Sequence, residues 1–317
     1  MELKEIVLTL DYELFGNGKG DIYQNLIRPS SRILAELRRN NIKAIWYVEG
    51  LEFNRLEKAG EDMSLVRKQI NDIASNGHEI GLHLHPQWLV SKDSVKLRRL
   101  NMDLWSTVKV AKDRNVLVEA LKESLDFIIS SVENKIEIQR FRAGGFNACP
   151  SDNLGKTLIE LNIKYDSSVV PGLYKQDNLN DIDYRNVQLR DIYPCSLNDF
   201  RVHQSDSLFL EEPIAAIKAK KIFQLSLNTL LLRLSGVAKV KSGKSKRNNV
   251  LPVDFGTMNS FVFLMALIAN KSNRRMVLIT HPKTILTLWD LKVNLSILLL
   301  LENLKKIKIR ETITSTS

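Results

Sequence analysis

The sequence predicts an α/β fold whose parallel strands close into a barrel, and two observations carry that prediction. Short apolar, β-rich runs alternate with helix-like segments, the pattern of repeated βαβ units. Seven such runs occur in one chain of 317 residues, which favours a barrel over an open sheet. A third observation bears on use: five of the runs end on ionisable residues, at the face where parallel barrels assemble their active sites.

Taken in order, Ile6–Asp11 is apolar on nearly every residue, as expected for a strand covered on both faces. Lys43–Val48, His78–His83, Ile138–Arg142, Ile163–Ser167, Ser207–Glu211 and Arg275–His281 have similar lengths. The helix expected over Pro29–Asn40 opens with Pro near its start, and the one over Asp62–Asn76 stops at Gly77. Further helices are expected over Asn115–Val132, Asp152–Leu161 and Asp254–Lys271, with a last one from about Leu286 to Ile307. Two stretches exceed an ordinary connection. We take both, at about 86–135 and 214–252, as insertions on the rim of a single domain spanning 1–317.

Composition excludes several classes. At 44% hydrophobic and 26% charged, the chain is neither disordered nor low in complexity. Its two cysteines, Cys149 and Cys195, make no disulfide framework and show no paired metal-ligand spacing. Charges interrupt MELKEIVLTLDYE before a signal-length apolar stretch accumulates, and no apolar run approaches the ~20 residues of a bilayer span. A cytoplasmic protein is therefore expected, peripheral on the inner face of the membrane if bound there at all. The net charge of +10 is local rather than general. Between Pro213 and Asp254 no Asp or Glu occurs, while nine basic residues do, from Lys218 to Arg247. Only Phe223 interleaves those charges, a poor basis for stacking on nucleic-acid bases. The apolar centre of the stretch, IFQLSLNTLLLRLSG, better suits contact with an anionic membrane surface through 218–247. The plainer alternative is a packed rim helix with a solvated basic tail.

The strand ends carry the chemistry. IVLTL runs into Asp11, EIGL into His83, IQRF into Arg142, SLFL into Glu211 and Glu212, and MVLIT into His281. Any one strand must end in something polar as it surfaces, but that does not dictate these residue types. Asp11 and Glu13 are two apart, as are His83 and His85, so each pair leaves an extended strand end on one face. A lone HxH is weak evidence, and D-x-E also occurs as a turn or helix-cap device. Yet four of the five histidines, at 78, 83, 85 and 281, lie in these segments. His and carboxylate donors in this number suit Zn2+, or another first-row divalent ion where carboxylate and water dominate. His78 opens its strand at the end away from His83 and is expected to be structural. His203 receives no role.

In this order, TLDYE, NGHEIGLHLHP, RFRAGGF, LEEP and ITHP resemble the polysaccharide deacetylase family, metal-dependent carbohydrate esterases sharing a chitooligosaccharide-deacetylase homology domain. The resemblance runs from about Val7 to Pro282, and GHEIG-x-H is its most specific element. It implies a distorted seven-stranded (β/α) barrel, which together with the two long connections gives a barrel with helical rim insertions. It implies further that Asp11 is the general base, that Glu13, His83 and His85 hold a divalent metal, that Arg142 orients the base, and that His281 is the general acid. Zn2+ is the first choice of ion, with Co2+, Mn2+ or Ni2+ as alternatives. The sequence departs from the commonest family pattern in three places. Asp11-Tyr12-Glu13 replaces adjacent aspartates; the second metal histidine normally lies four residues after the first, where this chain has Gln87; and the third motif has Ala143-Gly144-Gly145-Phe146 after its arginine instead of Pro and an aromatic.

The reaction so implied removes an N-acetyl or O-acetyl group from a sugar, here an intracellular precursor of a surface polysaccharide. Two rivals remain at this level. One is a metal-dependent amidohydrolase acting on a non-sugar C–N bond, since fold alone does not choose substrate. The other is a non-catalytic module that binds anionic lipid or nucleic acid through the basic stretch.

Overall fold

The computed structural model describes residues 4–188, 190–218 and 246–310, together with 226, 228, 230, 231 and 234. The seven expected strands are present: β1 (Lys4–Tyr12), β2 (Ile45–Glu49), β3 (Glu79–Leu84), β4 (Arg140–Ala143), β5 (Tyr165–Asp166), β9 (Leu210–Glu211) and β13 (Arg275–Thr280). They pair in parallel in the order β13-β1-β2-β3-β4-β5-β9. Between β5 and β9 the chain makes three short strands that the apolar pattern does not mark, β6 (Tyr174–Gln176), β7 (Asp181–Asp183) and β8 (Tyr193–Pro194). β8 extends the sheet antiparallel to β9.

The barrel is distorted where it closes. No ladder joins β9 to β13 among the described residues; single parallel bridges, Ile214 with Val277 and Asp254 with Ile279, span the gap. The described ends of the 214–252 stretch are strands, β10 (Ala216–Lys218), β11 (Lys246–Arg247) and β12 (Val250–Pro252). β10 pairs with β12, and β11 pairs with β6. Most of the basic stretch of 218–247, and with it the expected membrane contact, lies outside the described residues. Among the described residues no helix is long and apolar enough to cross a membrane.

Helices cover the sheet. α1 (Arg28–Arg39) buries Ile33 and Leu37; α3 (Ser64–Ser75) buries Val66, Ile70 and Ile73. Residues 86–135 hold α4 (Lys92–Lys96), α5 (Thr107–Val110) and α6 (Arg114–Ser130), and Asp113 caps α6 by accepting from the Asn115 and Val116 amides. α2 (Gly50–Lys58) is not expected from the sequence because it follows β2 with no polar break, and Glu49 serves as both strand end and cap, its carboxylate accepting from the Glu52 amide. α7 (Leu154–Glu160) and α8 (Ser260–Ala269) are shorter than expected, since Asp254 is used to bridge β13 before α8 begins. α9 (Trp289–Asn303) also ends early. Its tail becomes β14 (Ile307–Ile309), which pairs with Lys4–Ile6 of β1 below the point where β2 begins to pair at Thr9. β1, β3, β4 and β13 thus all end at one mouth.

Candidate metal centre and active site

Six side chains singled out in the sequence meet at that mouth. Asp11, Glu13, His83, His85 and His281 line one cavity of about 270 Å3, closed by Phe15, Trp105, Phe146 and Lys283. Arg142 lies beneath it, with none of its surface exposed. A larger cleft of about 390 Å3 sits at the opposite end of β1 and β13, among Ile6, Leu267 and Met276. Among the described residues no His or carboxylate lines it, whereas the smaller cavity is lined by both.

Arg142 organises the floor. Its Nη1 donates to Asp11 Oδ1 at 2.6 Å, its Nε to the Ser167 carbonyl at 2.8 Å, and its Nη2 to Thr9 Oγ1 and Ser167 Oγ, both at 3.0 Å. The guanidinium also stacks 4.0 Å above the Tyr47 ring. Burial alone would raise the Asp11 carboxyl. Arg142, with the bond from His281, reverses this and holds it far below the ordinary range, so it is ionised.

The same residue fixes a tautomer. The Arg142 carbonyl lies 2.8 Å from His83 Nδ1, so Nδ1–H donates and the lone pair stays on Nε2. That Nε2 is buried with no hydrogen-bond partner among the described residues. It points at carboxylates, 3.7 Å from Glu13 Oε1 and 3.9 Å from Asp11 Oδ2. A bare imidazole lone pair facing two carboxylates fits a cation between them. Glu13, His83 and His85 each offer a donor within 4.8 Å of the others, and so do Asp11, Glu13 and His281. The first set is the one expected from the sequence, and the second shares Glu13 with it.

His85 fits on one condition. Its Nε2 lies 2.8 Å from Glu13 Oε2, while its Nδ1 lies 2.9 Å from the Gln87 amide nitrogen, which also donates to the Gly16 carbonyl at 3.2 Å. With Gln87 donating, the imidazole proton sits on Nε2 and hydrogen-bonds Glu13. With the amide turned over, Gln87 Oε1, buried and unpartnered as it stands, accepts from Nδ1–H and frees Nε2 for a metal, and the bond to the Gly16 carbonyl is given up. The ring leaves no room for a side chain at position 144. A Cβ on Gly144 would lie 2.6 Å from His85 Nδ1.

Sequence reasoning missed Lys283. It is buried, and its Nζ lies 2.8 Å from both Glu13 Oε1 and the Leu14 carbonyl. The signal was available, because Lys283 follows His281 at the two-residue spacing noted for Asp11 and Glu13. Against burial, Lys283 and His85 hold the Glu13 carboxyl well below its usual range. Behind Glu13 lie Glu49 and Glu52, two buried carboxyls that form no ion pair among the described residues. Burial raises both, Glu52 to about 8. Asp11 and Glu13 are therefore the ionised carboxylates here, balanced by Arg142 and Lys283.

His281 Nε2 is 3.4 Å from Asp11 Oδ2, and its side chain keeps 23% of its surface exposed towards the cavity. Burial would lower its pKa, but the bond to Asp11 prevails and holds it above the ordinary imidazole range. The other residues noted at strand ends lie elsewhere. Glu211 shares a hydrogen bond with Asp166 inside the barrel, where burial raises both carboxyls. Glu212 pairs with Arg140 and, at 2.7 Å, with Arg275. His78 sits at the far end of β3, its Nδ1 accepting from the Ala44 amide at 3.1 Å, and burial lowers it to about 4. His203 is exposed and forms a backbone bridge with Cys195.

No protein-family profile and no curated protein matches the sequence. Solved structures do. A candidate polysaccharide deacetylase from Mycobacterium smegmatis is similar over 100% of this chain and 95% of its own, at 13% identity and a TM-score of 0.52. A polysaccharide deacetylase from Bacillus cereus aligns over 99% and 94%, at 10% identity and a TM-score of 0.46. A family 4 acetyl xylan esterase from Clostridium thermocellum, in complex with a cobalt ion, aligns over 53% and 60%, at 17% identity and a TM-score of 0.32. The first likeness, end to end, establishes the fold: this chain is built on the barrel seen in the candidate polysaccharide deacetylase of Mycobacterium smegmatis.

Proposed function

We propose that this chain is a divergent polysaccharide deacetylase, a metal-dependent hydrolase that removes an acetyl group from a sugar. One observation carries the proposal. The ionised Asp11 is held by Arg142 on one oxygen while the other faces both His281, at 3.4 Å, and the bare Nε2 of His83, at 3.9 Å. A base, an acid and a ligand-type nitrogen thus surround one point in a cavity large enough for one sugar ring.

His83 and Glu13 would hold the divalent ion, with His85 joining once Gln87 turns. Bound there, such an ion polarises the acetyl carbonyl and acidifies a water, which a carboxylate as acidic as Asp11 needs from its partner. Asp11 would take the proton from the attacking water as the water oxygen adds to the carbonyl carbon. His281 delivers a proton to the departing nitrogen, or oxygen in an ester, and the bond to the acyl carbon breaks. The products are acetate and the free amine or hydroxyl. Arg142 keeps Asp11 charged and aimed, and Trp105 and Phe146 exclude bulk water from the cavity rim.

Zn2+ as the native ion, a cytoplasmic precursor of a surface polysaccharide as substrate, and membrane contact through 218–247 belong to the same reading. Acid-free basic composition supports the last of these. The test is metal analysis of the purified chain, then acetate release from N-acetylglucosamine oligomers, acetylated xylan, sugar nucleotides and small non-sugar amides. Metal-dependent acetate release from any of the sugars, lost in Asp11→Asn, is expected. Hydrolysis confined to the non-sugar amides would replace this reading with the amidohydrolase one, and no hydrolysis by the metal-loaded chain would remove it.

A further inference from the structure

Beyond the Gly145–Phe146 turn lies a second cavity, of about 200 Å3, and those two residues wall both cavities. Gly145 and Phe146 take φ of 60° and 64°, a left-handed pair that is unusual for a bulky residue such as Phe. The far cavity is lined by Lys175 and Arg247 over an apolar base of Leu173, Ile182 and Leu251, and no carboxylate is among its lining residues.

The two cations face each other by construction. β11 pairs antiparallel to β6 with Arg247 directly opposite Lys175, so both side chains leave the same face of the ribbon. Like charges so placed destabilise a strand pair. Burial, reinforced by the Arg247 charge, holds the Lys175 ammonium below its ordinary range. Neither makes an ion pair among the described residues. The acid that draws Lys175 the other way is Asp177, whose Oδ1 accepts from the Leu179 and Asn180 amides and from Asn180 Nδ2 and whose Oδ2 is buried without a hydrogen-bond partner among the described residues; it forms no ion pair with Lys175. The rest of the insertion cannot supply a carboxylate, since none occurs between Pro213 and Val253. Asn248 meanwhile pins this arrangement, donating to the Gly172 carbonyl at 2.7 Å and accepting from the Tyr174 amide at 3.2 Å.

We propose that this cavity is an anion subsite, which takes a phosphate or carboxylate group carried by the same molecule whose acetylated sugar lies beneath His281. The proposal rests on the deacetylase reading and narrows its substrates to anionic sugars. Lys175 and Arg247 act as positioning residues, because the Gly145–Phe146 turn stands between them and the reacting atoms.

Two measurements test it on the full chain. In calorimetric titrations, inorganic pyrophosphate probes the phosphate source and glucuronate the carboxylate source. The better-bound probe should weaken about tenfold in Lys175→Gln and in Arg247→Gln, the scale of one charge-assisted hydrogen bond, and more in Arg247→Glu. In acetate release, KM for a matching anionic sugar, UDP-N-acetylglucosamine or an N-acetylated oligosaccharide containing glucuronate, should rise about tenfold with kcat unchanged. Neutral chitotriose should not respond. Unchanged thermal unfolding of the variants checks that the fold is kept. Absence of binding by both probes, or equal binding by parent and variants, overturns the subsite even if acetate is released. Probe binding that depends on both residues, with no acetate released from any sugar, keeps the subsite and overturns the hydrolase reading instead.

Discussion

Replacing Arg142 by Met keeps most of the side-chain volume and removes the charge, so it isolates what the guanidinium does. Four hydrogen bonds of 2.6–3.0 Å are lost, along with the stack on Tyr47, and Asp11 is left fully enclosed without its cation. Removing one partner of a buried ion pair costs about 3–5 kcal/mol, a large share of the roughly 5–15 kcal/mol that holds a typical domain together. The pH dependence gives the sharper signature. In the parent, Asp11 has a folded pKa below its unfolded value, so its contribution is full above the ordinary carboxylate range and is lost progressively as pH falls below that range through the folded pKa. In the variant burial dominates and raises the same carboxyl, so folding favours its protonated form and the defect shrinks as pH falls. Urea unfolding near pH 7.5 and near 5.5, on parent, Arg142→Met, Asp11→Asn and the double variant, measures both effects. The single Arg142 variant should lose about 3–5 kcal/mol at the higher pH and clearly less at the lower. The double variant should be more stable than the sum of the single losses by roughly 1–3 kcal/mol. A loss under about 1 kcal/mol, or one independent of pH and of Asp11, would refute the account of Arg142 as the group that keeps the base charged.

Asp11→Asn should lower turnover by about 10²–10⁴-fold while bound metal, counted by elemental analysis, stays at parent levels; more than a tenth of parental activity would exclude Asp11 as the base. The same substitution should lower the titration midpoint of the His281 imidazole in NMR spectra of metal-free protein, since Asp11 is what raises it; an unmoved midpoint would mean that some other group charges His281. Lys283→Met removes an ammonium from Glu13, and divalent ions should then bind about tenfold or more tightly in competition with a fluorescent chelator. Unchanged or weaker binding would show that Lys283 supports the ion instead of competing with it. Sedimentation with anionic vesicles should exceed that with neutral ones, and should fall with added salt and on deletion of residues 218–247; equal sedimentation would leave that stretch as packing.

The barrel was legible because its seven parallel strands are covered on both faces, and such strands announce themselves as unbroken apolar runs. The strand-end residues were legible for a related reason: in four of the five runs noted, all but the one that ends on Glu211, the ionisable residue at the end reaches the mouth. Connections carry no such signal. β6, β7 and β8 are two or three residues long, too short for a period to register, and β14 begins at Ile307, where the apolar pattern ended the last helix. Lys283 went unassigned because a lysine two places after a strand is ordinarily solvated, and only the closed barrel mouth places it against Glu13. Gln87 was noticed as the absence of a histidine; its contact with His85 depends on a ring orientation that spacing alone does not fix.

The contact between His85 and Gly144 links two departures that looked independent. The histidine sits two residues after His83 instead of four, and the arginine motif continues into two glycines. In the folded chain the two are coupled, because the His85 ring occupies the volume that a side chain at 144 would fill. Such positions are epistatic. A chain with an ordinary residue at 144 has nowhere to put the ring of His85, and a chain that restores a side chain at 144 must first move the histidine. A variant library that samples 85, 87 and 144 together should therefore contain active combinations that no series of single substitutions reaches.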